Sequence, residues 1–439
     1  MKLKFFKKFS SMCLCLVLAL LLAVGSLPAA SRSEAAGNIT VYFTIEKFTL
    51  GQGFILEPVK VTCKSGSTVS DVLKTVADDH DIDLEYKNTS TYGFYLEGIE
   101  DVDSGTSDIP KCIRDMNGGV SNSDVNPGKE KNDYFPDLME FSYTPMSGWL
   151  FAVNNKYPNV GMGKYTLSSG DVVRIAFTLC GAGADLQKTG QPNRDSLIKK
   201  MALYNANKNV CIANGCKSAY SSAKKICANL DSSSSQISSA ASKLPSSSKI
   251  STMVSAAKVT ASVKSAATTS ITLQWNKVAK ASGYRLYLYS GSKYVLKKTI
   301  TSNSTTSGAV GSLSAGKTYK FKVVPYYNDG GTKRNLSSSV VSGPTKPGKV
   351  TLTSCTKPAS TKAKLVWKKV SGATGYQIFR ATSRTGSYSK IKTITSADTL
   401  TYTDTGLSST KTYFYKVRAY RKAGGFLAAG ACSDIKQAK

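Results

Sequence analysis

Ile271-Thr272-Leu273-Gln274-Trp275, followed nine residues after the tryptophan by Tyr284 in Gly283-Tyr284, alternates apolar and polar side chains up to a large aromatic. The same spacing returns at Trp367 and Tyr376. Further on, Leu313 leads Tyr319 by six positions and Leu407 leads Tyr413 by six. From Lys258 onward the chain is therefore one unit of about ninety residues written twice. Short alternating runs such as Gly375-Tyr376-Gln377-Ile378-Phe379-Arg380 lie between Ser, Gly, Lys and Asn turns. That pattern predicts antiparallel strands with one buried face, so two all-β units are expected.

Upstream the periodicity changes. Ile39 to Ile45 and Val59 to Thr62 alternate as strands around a loop, and Ser67 or Thr68 then caps a helix with Val69, Val72, Leu73 and Val76 on one face. Later strands are predicted at Tyr92 to Ile99, Gly148 to Val153 and Asp171 to Thr178, with Asn154-Asn155 as a hairpin turn. This order reads as an α+β domain of β-grasp type. Residues 191–244 are rich in Ala, Ser and Lys, with Leu197, Met201 and Tyr204, then Tyr220, Ala223, Ile226, Cys227 and Leu230, at helical spacing. Asp231 and the serines after it are placed to cap a last helix from Gln236 to Leu244, which Pro245 ends.

The chain start carries Lys2, Lys4, Lys7 and Lys8, an apolar stretch from Met12 to Val24, and small residues ending at Ala35, Ala36 and Gly37. That is the form of an export signal. No segment reaches the roughly 20 apolar residues of a membrane span. The expected organisation is a signal peptide (1–36), an α+β domain (38–185), a helical spacer (190–250) and two β-sandwiches (255–345 and 346–439). The fold class is thus multi-domain and mainly β.

Three resemblances attach to these residues. The tryptophan strand, the Gly-Tyr opening the next strand and the Leu-x5-Tyr corner resemble fibronectin type III domains. This implies that Trp275 and Trp367 fill the two cores while the Tyr319 and Tyr413 hydroxyls bond back to the chain at the corner. The run Ser147 to Gly161 (SGWLFAVNNKYPNVG), with Tyr165-Thr166-Leu167, Gly170-Asp171-Val172-Val173 and Tyr92 to Leu96, resembles the domain of unknown function related to the C-terminal domain of transcobalamin. It departs from that pattern in having Asn155 for the turn glycine and a long insertion from Asp101 to Phe141. Ala219 to Leu244 resembles half of a FIVAR repeat.

Charge divides the chain. Residues 38–185 hold 12 basic and 21 acidic residues; residues 186–439 hold 41 basic and 6 acidic. Net charges of −9 and +35 imply different surroundings for the two parts.

Cysteines outside the signal number eight: Cys63, Cys112, Cys180, Cys211, Cys216, Cys227, Cys355 and Cys432. An even set in an exported chain points to disulfides. Zinc is disfavoured, since no C-x-x-C pair occurs and His80 is the only histidine. In the fibronectin-like fold the first and last strands both run at sandwich edges, so Cys355 and Cys432 are expected to be joined. The six others admit 15 pairings.

Histidine-dependent catalysis is strained with one histidine. Asp78-Asp79-His80-Asp81-Ile82-Asp83 lacks the mid-loop glycine and twelfth-position carboxylate of a calcium loop, so no metal or other cofactor is expected. Thr351-Leu352-Thr353-Ser354-Cys355 is similar to a sortase cysteine segment, without a histidine in its domain. Asp101, Asp103, Asp108, Asp133, Asp137 and Glu140 supply carboxylates for glycoside hydrolysis only if two face one bond. No catalytic residue is assigned. Alternation puts Trp149 and Phe151 with Val153 in a core and leaves Tyr157 as the exposed, ligand-facing aromatic.

Two functions compete. One is a secreted, cell-surface or wall-associated adhesion protein, its basic part held to anionic polymer such as teichoic acid or acidic polysaccharide, with charge as the anchor because no sorting motif or hydrophobic tail is seen. The other is capture of a small molecule, a corrinoid by the transcobalamin resemblance, or a glycan. The helical barrel that completes the corrinoid site in the vitamin carriers is absent. A targeting part of a larger assembly is a variant of the first. Specific nucleic-acid binding is not expected, because the basic residues show neither a reading helix nor interleaved aromatics.

Overall fold

The computed structural model describes residues 37–90, 93–125 and 134–439; the signal expected at 1–36 lies outside them. β1 (Asn38–Glu46) pairs antiparallel with β2 (Phe54–Lys64). Thr68 caps α1 (Val69–Asp79): its side chain accepts the Asp71 N–H, and the Asp71 carboxylate accepts the Thr68 N–H at 2.9 Å. Val69, Val72, Leu73 and Val76 of α1 enter the first core. There follow β3 (Leu84–Thr89) and β4 (Gly93–Ile99), the short helices α2 (Lys111–Arg114) and α3 (Asn122–Val125), then β5 (Leu138–Met139), β6 (Gly148–Val153) and β7 (Val172–Thr178). The main sheet has the order β2-β1-β7-β6, with β1 and β7 parallel at its centre, and β3-β4-β5 form a small second sheet. Asn154 and Asn155 turn the chain after β6 with φ of 50° and 59°, the left-handed region that asparagine tolerates. This is the β-grasp arrangement.

β7 is buried at all seven positions. A strand so placed must be covered on both faces. α1 covers one. The other is covered by the helices that follow α4 (Ala184–Gln187): α5 (Asp195–Ala206), α6 (Lys208–Ala213), α7 (Lys217–Ala228), α8 (Ser234–Lys243) and α9 (Ser247–Ala256). Leu197, Ile198 and Met201 of α5 share a core with Val172, and Tyr42 and Phe54 of the sheet pack against it. Tyr220 donates to Glu57 at 2.6 Å, and Asn205 donates to the Pro58 carbonyl at 2.9 Å. The segment expected to be a spacer is thus the third layer of the first domain. Of the residues expected to cap the helix from Gln236 to Leu244, one of the serines does so and Asp231 does not. Ser233 caps α8, whereas Asp231 accepts the backbone N–H groups of Lys111 and Cys112 and ties α2 of the insertion to the helices.

The first sandwich comprises β8 (Ala261–Ala266), β9 (Ile271–Trp275), β10 (Gly283–Ser290), β11 (Lys293–Ile300), β12 (Ser307–Val310), β13 (Thr318–Asp329), β14 (Thr332–Asn335) and β15 (Ser339–Pro344). The second comprises β16 (Leu352–Ala359), β17 (Lys362–Trp367), β18 (Gly375–Ala381), β19 (Ser389–Ile394), β20 (Thr401–Thr405), β21 (Phe414–Ala423), β22 (Phe426–Cys432) and β23 (Lys436–Gln437). A three-stranded sheet, β8-β9-β12 or β16-β17-β20, faces a larger sheet built on β11-β10-β13 or β19-β18-β21. Both are antiparallel two-sheet β-sandwiches. Trp275 and Trp367 are buried in the two cores. At the corners the Ser314 N–H donates to the Tyr319 hydroxyl at 2.8 Å and the Ser408 N–H to the Tyr413 hydroxyl at 3.1 Å. The glycine before each core tyrosine has a steric reason: a Cβ on Gly283 or Gly375 would overlap the carbonyl oxygen of Ile300 or Ile394.

The eight described cysteines are all thiols. The bridge expected between Cys355 and Cys432 is not formed. Cys355 is buried in the second core, while Cys432 stands opposite Arg418, whose guanidinium lies 4.9 Å from the Phe379 ring on the outer face of the other sheet. Directly paired antiparallel residues share a face. The two thiols therefore point to opposite sides of that sheet.

Candidate functional site

β4 and β6 stand side by side at one edge of the α+β domain, and the chain leaving the Asn154-Asn155 turn folds back over them. Between strands and loop lies a cleft of about 640 Å³. Phe94 and Leu96 of β4, Trp149 and Phe151 of β6, and Tyr157 and Met162 of the loop form its apolar walls, with Lys164 and Gln187 among its polar groups. A cleft of this size, mostly apolar with a few polar groups, has the dimensions of a small-ligand site.

Its aromatics are held by different means. Trp149 donates its indole N–H to the Leu138 carbonyl at 3.2 Å and meets Phe177 edge-on at 5.1 Å, so it is fixed while part of its ring stays open. Phe151 and Val153 are core residues, as the alternation predicts; Trp149 is only partly buried, and Phe151 also touches the cleft. Tyr157 lines the cleft but is half-buried rather than exposed. Burial pushes its phenol up to about 12, with Arg174 opposing this and the Glu46 and Asp185 charges adding to it. Phe94, Met162 and Lys164 were not singled out by sequence reasoning. The Phe94-Tyr95-Leu96 alternation signals a strand with one apolar face, but not that a loop sixty residues later roofs it.

The insertion carboxylates serve as acceptors. Asp103 receives the Tyr143 hydroxyl at 2.8 Å, Asp137 receives the Asp101 N–H at 2.9 Å, and Glu140 receives the Tyr95 hydroxyl. Asp133 lies outside the described residues. No group of three or more metal-ligating side chains is gathered among the described residues. His80 ends α1 as its C-cap.

The sandwiches form a second candidate surface. Residues 255–439 contain 31 basic and 4 acidic residues. The four acids are already engaged: Asp329 with Lys217 and Arg334, Asp398 with Lys369, Asp404 with Arg380 and Asp434 with Lys349. Contrary to expectation, the basic residues do interleave with aromatics. The Lys322 ammonium lies 5.5 Å from the Tyr287 ring centre and 4.2 Å from that of Tyr294, and the Lys416 ammonium lies 4.2 Å from that of Tyr388.

No helix among the described residues is long and apolar enough to cross a membrane. No curated protein matches the chain. Among solved structures, a two-domain fibronectin type III segment of chicken tenascin is 18% identical over 41% of this chain and 97% of its own, with a TM-score of 0.24. The FN1–FN3 domains of chicken CNTN1 are 15% identical over 40% of this chain and 65% of theirs, with a TM-score of 0.28. A family model described as a domain of unknown function, DUF4430, matches residues 137–178, the stretch that carries β6, Tyr157, Met162 and β7.

Proposed function

We propose that this chain is a non-catalytic binding protein of the cell exterior. The two basic sandwiches hold it to an anionic envelope polymer, and the α+β domain, whose acidic part is residues 38–185, offers its aromatic cleft to a ligand. The observation that carries this reading is the division of charge: the first domain with its helices, residues 38–254, holds 22 basic and 23 acidic residues, net −1, against 31 basic and 4 acidic, net +27, in the sandwiches of residues 255–439. Solubility needs far less than the second value. Attraction of this kind weakens as salt shortens the screening length. Retention of the full chain on Gram-positive cell walls, native or stripped of teichoic acid, at low and molar salt tests it. Strong retention on native walls that disappears with salt and with stripping is expected; equal retention on both wall preparations overturns the reading.

The second reading is capture of a small molecule, a corrinoid or a glycan, and the cleft supports it. Trp149 sits in the cleft wall, so titration with a corrinoid or an oligosaccharide should quench or shift tryptophan emission. A Trp149→Phe chain that reports the same change overturns assignment to this cleft.

A further inference from the structure

The lysine-on-tyrosine contact recurs at matched places in both sandwiches. Tyr287 and Phe379 each lie twelve residues after the core tryptophan, and Lys322 and Lys416 stand directly opposite them. Lys322 then covers Tyr294 and Lys416 covers Tyr388, each at 4.2 Å. Core residues recur because the fold demands them. Outer-face residues are under no such demand, and around this contact they have diverged. Arg285 corresponds to Gln377, and Lys320 to Phe414, in the registers of the two sheets.

We infer that the outer face of the larger sheet in each sandwich is a binding platform for a phosphodiester polymer of polyols. It is centred on Lys322 with Tyr287 and Tyr294 in the first sandwich, and on Lys416 with Tyr388 in the second. This rests on the proposed attachment to an anionic envelope polymer and names its chemistry. Three observations favour that partner. Neither lysine has a carboxylate in ion-pair reach among the described residues, so its charge is open to a ligand. Five of the six arginines in residues 255–439 are tied to Asn335, Asp329, Asp404, Gln377 and Gly372. The forks that read carboxylates or phosphates bidentately are therefore used internally, and what is offered outward is lysine, a point charge that binds phosphate without such a fork. The ammonium already lies over the tyrosine ring, which covers the face a nucleobase would stack on. The cation–π contact also pre-positions a flexible side chain, so less rotamer freedom is lost on binding.

The test is calorimetric titration of the full chain with poly(glycerol phosphate), with polygalacturonate and a single-stranded oligonucleotide of matched charge as comparators. Lys322→Gln with Lys416→Gln is compared with Lys264→Gln with Lys364→Gln, which removes the same charge from exposed positions on the smaller sheets. Melting temperatures confirm that both variants are folded. The platform pair should weaken poly(glycerol phosphate) binding about tenfold and the control pair less than twofold, and Lys322→Arg with Lys416→Arg should keep most of the affinity. Equal losses in the two Gln pairs overturn the platform while leaving general charge attraction standing. Tighter binding of polygalacturonate or of the oligonucleotide overturns the choice of partner. No binding to any of the three removes the attachment reading and the platform with it.

Discussion

Arg174 on β7 and Glu46 at the end of β1 form an ion pair across the parallel strand pair, with side chains only 3% and 1% exposed. α1 lies on one side of that sheet and the helices after residue 190 on the other. Burial alone would lower the Arg174 guanidinium, but the Glu46 charge and hydrogen bond, together with the Tyr157 and Cys227 groups nearby, outweigh burial and keep it charged. Arg194, also fully buried, is satisfied by the carbonyls of Cys227, Pro192 and Asn229 at 3.1 to 3.2 Å.

Removing one member of the pair strands a buried charge. Glu46→Gln or Arg174→Met alone should cost about 3–5 kcal/mol in denaturant unfolding of the first domain, whereas Glu46→Leu with Arg174→Met should recover most of that loss. Additive losses in the double variant would show that the two side chains are not coupled.

The two corner tyrosines should behave alike. Tyr319→Phe and Tyr413→Phe each leave a serine N–H without its acceptor and should cost about 1 kcal/mol in the sandwich concerned. Gly283→Ala and Gly375→Ala should cost more, about 1–3 kcal/mol, because the added methyl meets a strand carbonyl that must move. Unchanged midpoints for the glycine variants would contradict the close approach of backbone at these positions.

Acid should loosen the start of α1. The Thr68 backbone N–H, helped by its side chain, holds the Asp71 carboxyl below its ordinary value near 3.8. With the folded value depressed, the cap's contribution is complete above pH 3.8 and is lost as pH falls through the folded value. The protection of amides 69–72, taken as exchange relative to the unstructured rate at each pH and followed downward from pH 5, should fall in that window, and Asp71→Asn should flatten the fall. An unchanged profile in the variant would assign the effect elsewhere.

Thiol labelling separates Cys432 from Cys355. Burial pushes the Cys355 thiol up to about 11 inside the second core, while Cys432 is half-buried on the opposite face of the larger sheet. Iodoacetamide should modify Cys432 much faster than Cys355 in the native chain. A non-reduced peptide joining the two would overturn the side-chain placement given by the strand register.

The sequence by itself determined the elements and their units. Trp275, Trp367, the Leu-x5-Tyr corners and the Asn154-Asn155 turn act through local spacing and backbone preference, and each lies where that spacing puts it. Tertiary structure decided what lies against what. Leu197, Ile198 and Met201 read only as a helical stripe, and nothing local says that its partner is the back of β7. Likewise Asp231 reads as a helix cap but serves α2, some 120 residues away, because a carboxylate accepts from whichever free N–H groups the fold brings near. Cys355 and Cys432 follow the same logic. Strand order could place them at two edges, but only the pairing of Cys432 with Arg418 fixed the face, since one residue of register turns every side chain to the other side of a sheet.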